Sequence, residues 1–354
     1  MTWAFNGPTT SGYNQLPPRL SGCYPNEIVI GLVNNMPDGA FRTTENQIRS
    51  LLLTAAPAGI KFRLQLFALP QIARDRSIRK DIEERYEDAE RIDRHKVDAV
   101  IVTGAEPKEA ELQNEVYWEG LTTLIDWARA NTFSAIWSCL ACHAVVQHLD
   151  GIPRQRYPKK LSGIYRSERS AEHVILAHLG TSWSVPHSRM NSLAEVSLAA
   201  KGYEVISRLE AGGPDMFVKD VGSLFICLQG HPEYDRDTLL REYRRDVNRY
   251  LDGTASPYPD IPEAYFDPRD QRLLCKLKDL MTSYRPSRCP PFPYLFGFTD
   301  YSWRSSAVRL YRGWLEWLVL QCASACWQDQ AHFASLQPGP VRGDAAHAPQ
   351  LAVR

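Results

Sequence analysis

The heptapeptide Trp137-Ser138-Cys139-Leu140-Ala141-Cys142-His143 carries two thiols and an imidazole where an apolar, β-type run meets a helix. A side chain at such a turn projects at the C-terminal edge of a parallel sheet. There the helix start offers free N–H groups and the positive end of its dipole. Those groups lower a thiol pKa and form an oxyanion hole, with the N–H of Leu140 as a donor. Cys139 is therefore a candidate nucleophile, against the alternative of a buried, inert cysteine. A second segment, Gln229-Gly230-His231-Pro232-Glu233-Tyr234, directly follows the apolar run at 223–228. A nucleophilic thiol needs a base within reach, and the base needs an acceptor that holds its tautomer. His231 and Glu233 fit these two roles.

The same heptapeptide satisfies C-x-x-C-H, the c-type haem attachment pattern, but that chemistry needs export and a loop-rich haem fold. A redox dithiol is a further alternative. Zinc would require ligands at metal spacing, and no second pair lies nearby, so no metal ligands are assigned; Cys322 and Cys326 read as core thiols of the last helix. A third group is cationic or polar: Lys160, Ser188 and Arg189 in Pro186-His187-Ser188-Arg189, and Arg241, Glu242 and Arg245 at helical spacing after His231. Arginine suits bidentate capture of a carboxylate and glutamate suits an ammonium, so an amino-acid substrate would satisfy both. Ordinary surface ion pairs are the alternative.

Elements must bring these segments together. Strands are expected at 27–33, 61–69, 97–103, 134–138 and 223–228, each a short apolar run ended by turn residues. Helices are expected after Thr44 as N-cap, at 76–95 as one charged, solvated helix, and at 118–130, 140–149, 237–251 and 307–327. Alternating strands and helices imply an α/β fold, a parallel sheet with helices on both faces. All strand C-termini then share one edge, so His231 can approach Cys139. Residues 150–220 read as shorter β-like pieces, and 253–262 and 284–299 as ordered Pro- and aromatic-rich loops. The chain divides into an extended lead-in at 1–24, a single catalytic domain at 25–330 and a disordered tail at 331–354.

Forty-one basic residues balance forty-one acidic ones. That balance argues against a broad nucleic-acid or anionic-membrane footprint. No apolar run approaches bilayer length, and the polar N-terminus lacks the apolar core of a signal peptide. The eight scattered cysteines read as reduced thiols in the cytoplasm. Lys160, Arg189, Arg241 and Arg245 are expected to converge at one sheet edge, with acidic charge largely elsewhere, as at 81–93.

These segments, in this order, resemble the homoserine O-acyltransferases of the homoserine O-succinyltransferase type. Asn34 to Pro37 with Thr44-Glu45-Asn46-Gln47 is similar to the family's N-L-M-P…T-E-T-Q stretch. Val102 to Ala105 with Val116-Tyr117-Trp118, Cys139 with Gly151-Ile152-Pro153, and Lys160 to Gly163 follow. So do Pro186 to Arg189, Gly230 to Tyr234 and Trp303 to Ser306. The resemblance implies a class I glutamine amidotransferase-like, flavodoxin-like three-layer fold with a Cys139-His231-Glu233 triad. It implies that Lys160, Ser188, Arg189, Glu242 and Arg245 hold the amino-acid acceptor. It further implies a ping-pong reaction in which Cys139 takes an acyl group from acyl-CoA and passes it to the hydroxyl of homoserine. Acyl-CoA is then a co-substrate, and no bound cofactor is needed. A homodimer is a family expectation. The segment after Pro37 is longer than the family's and lacks its lysine, and Leu140 stands where the family often has tryptophan. Lys108 occupies the position linked to donor choice, where a cation would suit the distal carboxylate of a succinyl donor over acetyl. A serine O-acyltransferase and a glutamine amidotransferase-like cysteine hydrolase are the alternative readings.

Overall fold

The computed structural model describes residues 2–6, 27–284, 292, 295 and 301–336, with side chains described from 27 to 325. Among these residues one mixed sheet of eleven strands forms. The strands are β1 (Thr2–Asn6), β2 (Ile28–Val33), β3 (Lys61–Ala68), β4 (Glu87–Asp88), β5 (Ala99–Val102), β6 (Ser134–Ser138), β7 (Gln155–Arg169), β8 (Ser182–Ser192), β9 (Glu204–Leu209), β10 (Pro214–Asp220) and β11 (Leu224–Leu228). The helices are α1 (Asp38–Ala55), α2 (Arg76–Arg85), α3 (Trp118–Asn131), α4 (Leu140–Asp150), α5 (Glu195–Ala200), α6 (Thr238–Leu251), α7 (Pro268–Tyr284) and α8 (Trp303–Leu336). Strand order is β1-β3-β2-β5-β6-β11-β10-β9-β7-β8, with β4 beside β3.

The expected parallel sheet is the centre of the fold: β3, β2, β5, β6 and β11 pair in parallel. Alternation along β2 shows how both faces are covered. Ile28, Ile30 and Leu32 pack with α1 and α8, whereas Val29 and Val33 pack with α3 and α4. Successive strand side chains point to opposite faces, so a strand buried on both must be apolar throughout. The register sets Leu228 against Ser138. Cys139 and Gln229 therefore leave adjacent strands at the same edge, and the Cys139 N–H donates to the Leu228 carbonyl at 2.7 Å.

Several elements differ from expectation. Helix α1 begins at Asp38, not after Thr44, which lies buried inside it. Tertiary contacts hold that first turn: the Asp38 carboxylate meets Arg74 at 3.2 Å and the Asp75 N–H at 2.7 Å. The charged helix expected at 76–95 stops at Arg85. Tyr86 turns extended and donates its hydroxyl to buried Glu45 at 2.9 Å, so burial of one aromatic overrides local helix preference. The region 150–220 contains the short strands β9 and β10, as expected, but also the long β7–β8 pair. Helix α7 occupies a stretch for which no helix was expected. At the N-terminus, β1 pairs antiparallel with β3, and the rest of the 1–24 lead-in lies outside the described residues. Helix α8 runs to Leu336, into the span read as a tail; 337–354 lie outside the described residues, as does most of the 284–299 loop.

Candidate active site

Cys139 occupies the turn between β6 and α4 with φ 50° and ψ −108°, one of only two non-glycine residues with positive φ among those described. Such a backbone is unfavourable for a residue with a Cβ and is held in place by its surroundings. Here the Cys139 N–H is tied to β11, while its carbonyl accepts from Cys142 and His143 in the first turn of α4. The constraint holds a partly buried cysteine at the helix start. Gly104, after β5, makes room for that helix: a Cβ on it would lie 3.0 Å from the Leu140 nitrogen and 2.9 Å from the Leu140 Cβ. Leu140 lines the same cleft as Cys139, at the end of the helix where backbone N–H groups are free to meet an oxyanion.

His231 Nδ1 lies 2.8 Å from Glu233 Oε1, and both side chains are buried. Cys139 lines the same cleft as His231, close enough to act on the protonation of the imidazole. Burial alone would lower the His231 pKa; the charges and hydrogen bonds of Glu233 and Cys139 outweigh it and hold the pKa well above the usual value. The three residues thus have the order of a nucleophile, base and orienter.

Cys142 is fully buried in the apolar cluster beneath α4. Burial, with Cys227 beside it, pushes its thiol well above the ordinary range. It lacks the exposure that makes a thiol reactive, and burial outweighs the nearby charge of Arg189. Cys322 likewise packs in the core, and the side chain of Cys326 lies outside the described residues.

The cleft in front of Cys139 encloses about 200 Å3 and is lined by Lys160, Ser188, Arg189, Glu242 and Arg245 as well as His231. Strand β8 reaches this edge because the pair β7–β8 returns over it: the His231 N–H donates to the Pro186 carbonyl at 2.8 Å. Arg189, 4% exposed, donates to Gln229 Oε1 and the Asn191 carbonyl through Nη1, both at 2.8 Å. Its Nη2 is buried with no protein partner. Glu242 accepts from the Tyr234 hydroxyl on Oε1 at 2.8 Å, while its Oε2 is also buried without a partner. Lys160 and Arg245 converge on Asp246, at 2.8 and 2.9 Å. Burial would raise the Asp246 pKa, but these two cations hold it below the usual carboxylate range.

The structure does not bring Lys108 to this cleft. Its side chain is exposed, and Glu106 and Pro107 line the cleft instead. The Glu115 carboxylate accepts from the Lys108 and Glu109 N–H groups, turning the loop so that this lysine faces away. Arg241 lines an adjoining compartment of about 310 Å3, which shares Met36, Glu106, Tyr234 and Arg245 with the cleft. Acidic charge is not segregated elsewhere: Glu106, Glu242 and Asp246 stand among the cations, with Glu106 paired to Arg249 at 2.6 Å.

Three neighbours were assigned no role from the sequence. Tyr234 stacks on His231 and binds Glu242. Asp246 holds Lys160 and Arg245; its adjacency to Arg245 was the available signal. His143 lines the cleft one helical turn after Cys139, and burial, with Arg189 and Arg154 nearby, pushes its pKa down to about 3, so it is a neutral imidazole. Its spacing of four from Cys139 could have placed it there.

A family model described as homoserine O-succinyltransferase matches residues 25–325. The chain is 41% identical over 296 residues to a homoserine O-succinyltransferase from Bradyrhizobium japonicum, covering 83% of this chain and 91% of that protein. It is 48% identical over 240 residues to one from Rhodopseudomonas palustris, covering 68% and 72%. Among solved structures, a glutamine amidotransferase from Thermotoga maritima aligns with a TM-score of 0.46 at 12% identity, over 84% of this chain and 99% of that one.

Proposed function

From its membership of the homoserine O-succinyltransferase family, which makes this chain an acyltransferase, we propose that it transfers an acyl group from acyl-CoA to the hydroxyl of L-homoserine through a thioester on Cys139. One observation carries the reading. Cys139 and His231 line a cleft with Arg189 and Glu242, each of which carries one buried polar atom, a guanidinium nitrogen and a carboxylate oxygen, without a partner. Buried polar atoms are seldom left without partners, so the pair suits a ligand bearing both a carboxylate and an ammonium.

Cys139 passes its proton to His231 and reacts as the thiolate. The thiolate attacks the thioester carbonyl, and the oxyanion forms against the Leu140 N–H at the start of α4. Collapse breaks the carbon–sulfur bond to CoA, and the departing thiolate takes the His231 proton. Acylation removes the charge on Cys139, one of the interactions that raise the His231 pKa. Burial then has less opposition, and the neutral imidazole acts as a base. It takes the hydroxyl proton of homoserine as that oxygen attacks the acyl carbon. Cys139 leaves as thiolate, restoring the ion pair with His231.

Arg189 Nη2 would receive the acceptor carboxylate and Glu242 Oε2 its ammonium, with Ser188 beside them and Lys160 and Arg245 adding positive charge. The adjoining compartment, with Arg241 on α6, suits the phosphate-bearing arm of CoA. Thiol, imidazole and carboxylate account for every bond change, so the reaction calls for no metal or prosthetic group. A succinyl donor is preferred, in keeping with the names of the family and its relatives. A reduced thiol nucleophile suits the cytoplasm; among the described residues no helix is long and apolar enough to cross a membrane.

The test supplies purified protein with succinyl-CoA or acetyl-CoA and with homoserine, serine or glutamine, following CoA release and product mass. Succinyl-dependent acylation of homoserine is expected. Turnover with serine alone would reassign the acceptor, and faster turnover with acetyl-CoA the donor. Glutamine hydrolysis without CoA release would overturn the reading.

A further inference from the structure

We propose that His187 and Asp215 are positioning residues that fix the guanidinium of Arg189, and with it the carboxylate-binding corner of the cleft. The inference deepens the proposed acyltransferase reading and rests on it for the identity of the ligand.

His187 and Asp215 are 0% and 1% exposed, on β8 and β10. His187 Nε2 lies 3.2 Å from Asp215 Oδ1, an ion-pair distance that is not aligned as a hydrogen bond. The other carboxylate oxygen accepts from Ser167 at 2.6 Å and from Ser207 at 3.2 Å. On its far side, His187 Nδ1 accepts from Arg189 Nε at 3.2 Å. Arginine stays protonated, so Nδ1 must carry a lone pair. The single proton of a neutral imidazole then sits on Nε2, facing the carboxylate. Arg189 thus demands this tautomer, and the nearby charge of Asp215 favours it. Burial supports the neutral form by pushing the His187 pKa down, although Asp215 opposes this.

The consequence falls on Arg189. A guanidinium is planar, with its donors in a rigid fork. His187 takes Nε, and Gln229 and the Asn191 carbonyl take Nη1. With these fixed, the plane is set and Nη2 is left over for a ligand. The arrangement is also joined to the catalytic loop. A Cβ on Gly230 would come within 2.9 Å of His187 Nε2 and 3.1 Å of Asp215 Oδ1. Only the absence of that carbon lets the pair pack beneath the residue preceding His231. Neither residue lines the cleft, so their influence passes through Arg189.

The test compares His187→Leu, which removes the acceptor, with His187→Asn, whose amide oxygen can stand near the position of Nδ1. Asp215→Asn keeps the shape and removes the charge. Readouts are calorimetric binding of free L-homoserine, the acceptor KM and kcat, and the CoA burst with donor alone. His187→Leu should weaken homoserine binding and raise its KM by about 10- to 100-fold, as expected for losing a charge-assisted hydrogen bond. The burst should be affected far less. His187→Asn should restore most of the affinity, and Asp215→Asn should raise KM several-fold. Should the leucine variant fail to fold, Asp215→Asn decides the matter. Unchanged homoserine affinity in a folded His187→Leu or Asp215→Asn protein would overturn the inference, as would equal impairment of both half-reactions. A wild-type protein that gives no CoA burst and binds no amino acid would instead remove the acyltransferase reading beneath it.

Discussion

Tyr234 lies face to face with His231, ring centroids 4.3 Å apart and planes 16° from parallel, and donates its hydroxyl to Glu242 at 2.8 Å. One side chain thus braces both the imidazole proposed as the base and the carboxylate proposed to bind the acceptor ammonium. Burial, followed by the charges of Glu242 and Glu233, holds the Tyr234 pKa well above its usual value, so the phenol stays a donor. Tyr234→Phe keeps the stack and removes the hydrogen bond. A hydrogen bond to a charged group contributes about 1.5–3 kcal/mol, so the acceptor KM should rise about tenfold or more. Steady-state titration of homoserine, beside the CoA burst, measures this; an unchanged KM would show that Glu242 holds its place without Tyr234.

The two thiols of the heptapeptide should separate cleanly. Cys139→Ala should abolish covalent acyl labelling detected by mass spectrometry. Cys142→Ala should retain the label at a stability cost of about 1 kcal/mol, typical of a core substitution. Labelling that survives in the first variant and vanishes in the second would exchange their roles.

Glu233→Gln should both slow acyl transfer and move its pH dependence. Glu233 helps to raise the His231 pKa, so the variant pKa should fall. Because transfer needs the neutral base, the acid limb should shift to lower pH while the plateau drops by about 10²-fold or more. Linkage gives the sign for stability. A raised histidine pKa stabilises the fold fully below the ordinary 6.5, and this is lost as pH rises through the elevated value. The stability gap between wild type and Glu233→Gln should therefore narrow as pH rises above 6.5. Single-turnover profiles and denaturation midpoints across that range test both statements; an unmoved acid limb would refute the first.

Gly104→Ala should damage the oxyanion site specifically. The new methyl would lie 3.0 Å from the Leu140 nitrogen, forcing the loop or the helix start to shift. Overpacking costs about 1–3 kcal/mol, and losing an oxyanion donor costs about 10²- to 10³-fold in rate. Acylation measured by the burst should fall well beyond what the change in melting temperature explains. An alanine variant with a normal burst would place the oxyanion donor elsewhere.

The segments that carry Cys139, His231 and Glu233 were legible because each follows an apolar strand, and parallel strands deliver their ends to one edge. Lys108 illustrates the opposite case. Its position near Gly104 was readable, but its direction depends on Glu115 capturing two backbone N–H groups of the same loop. Tyr86 ends a helix that local charge pattern favoured because Glu45, distant in sequence, offers a buried acceptor. The role proposed for Asp215 was not legible: it comes only from His187, which lies beside Asp215 on one side and accepts from Arg189 on the other.

The chain's balanced charge, its strand–helix alternation and its ordered motifs are properties of the sequence alone. They are enough to specify the layered fold, the Cys139-His231-Glu233 line and the family, because periodicity and adjacency act over a few residues. Tertiary structure decided which charges are neutralised and which remain open. Lys160 and Arg245 close on Asp246, Arg249 closes on Glu106, and one nitrogen of Arg189 and one oxygen of Glu242 are left unpaired. Apart from Arg245 and its neighbour Asp246, such pairing depends on distances of a few ångströms between segments far apart in the chain, and only the packed fold sets them.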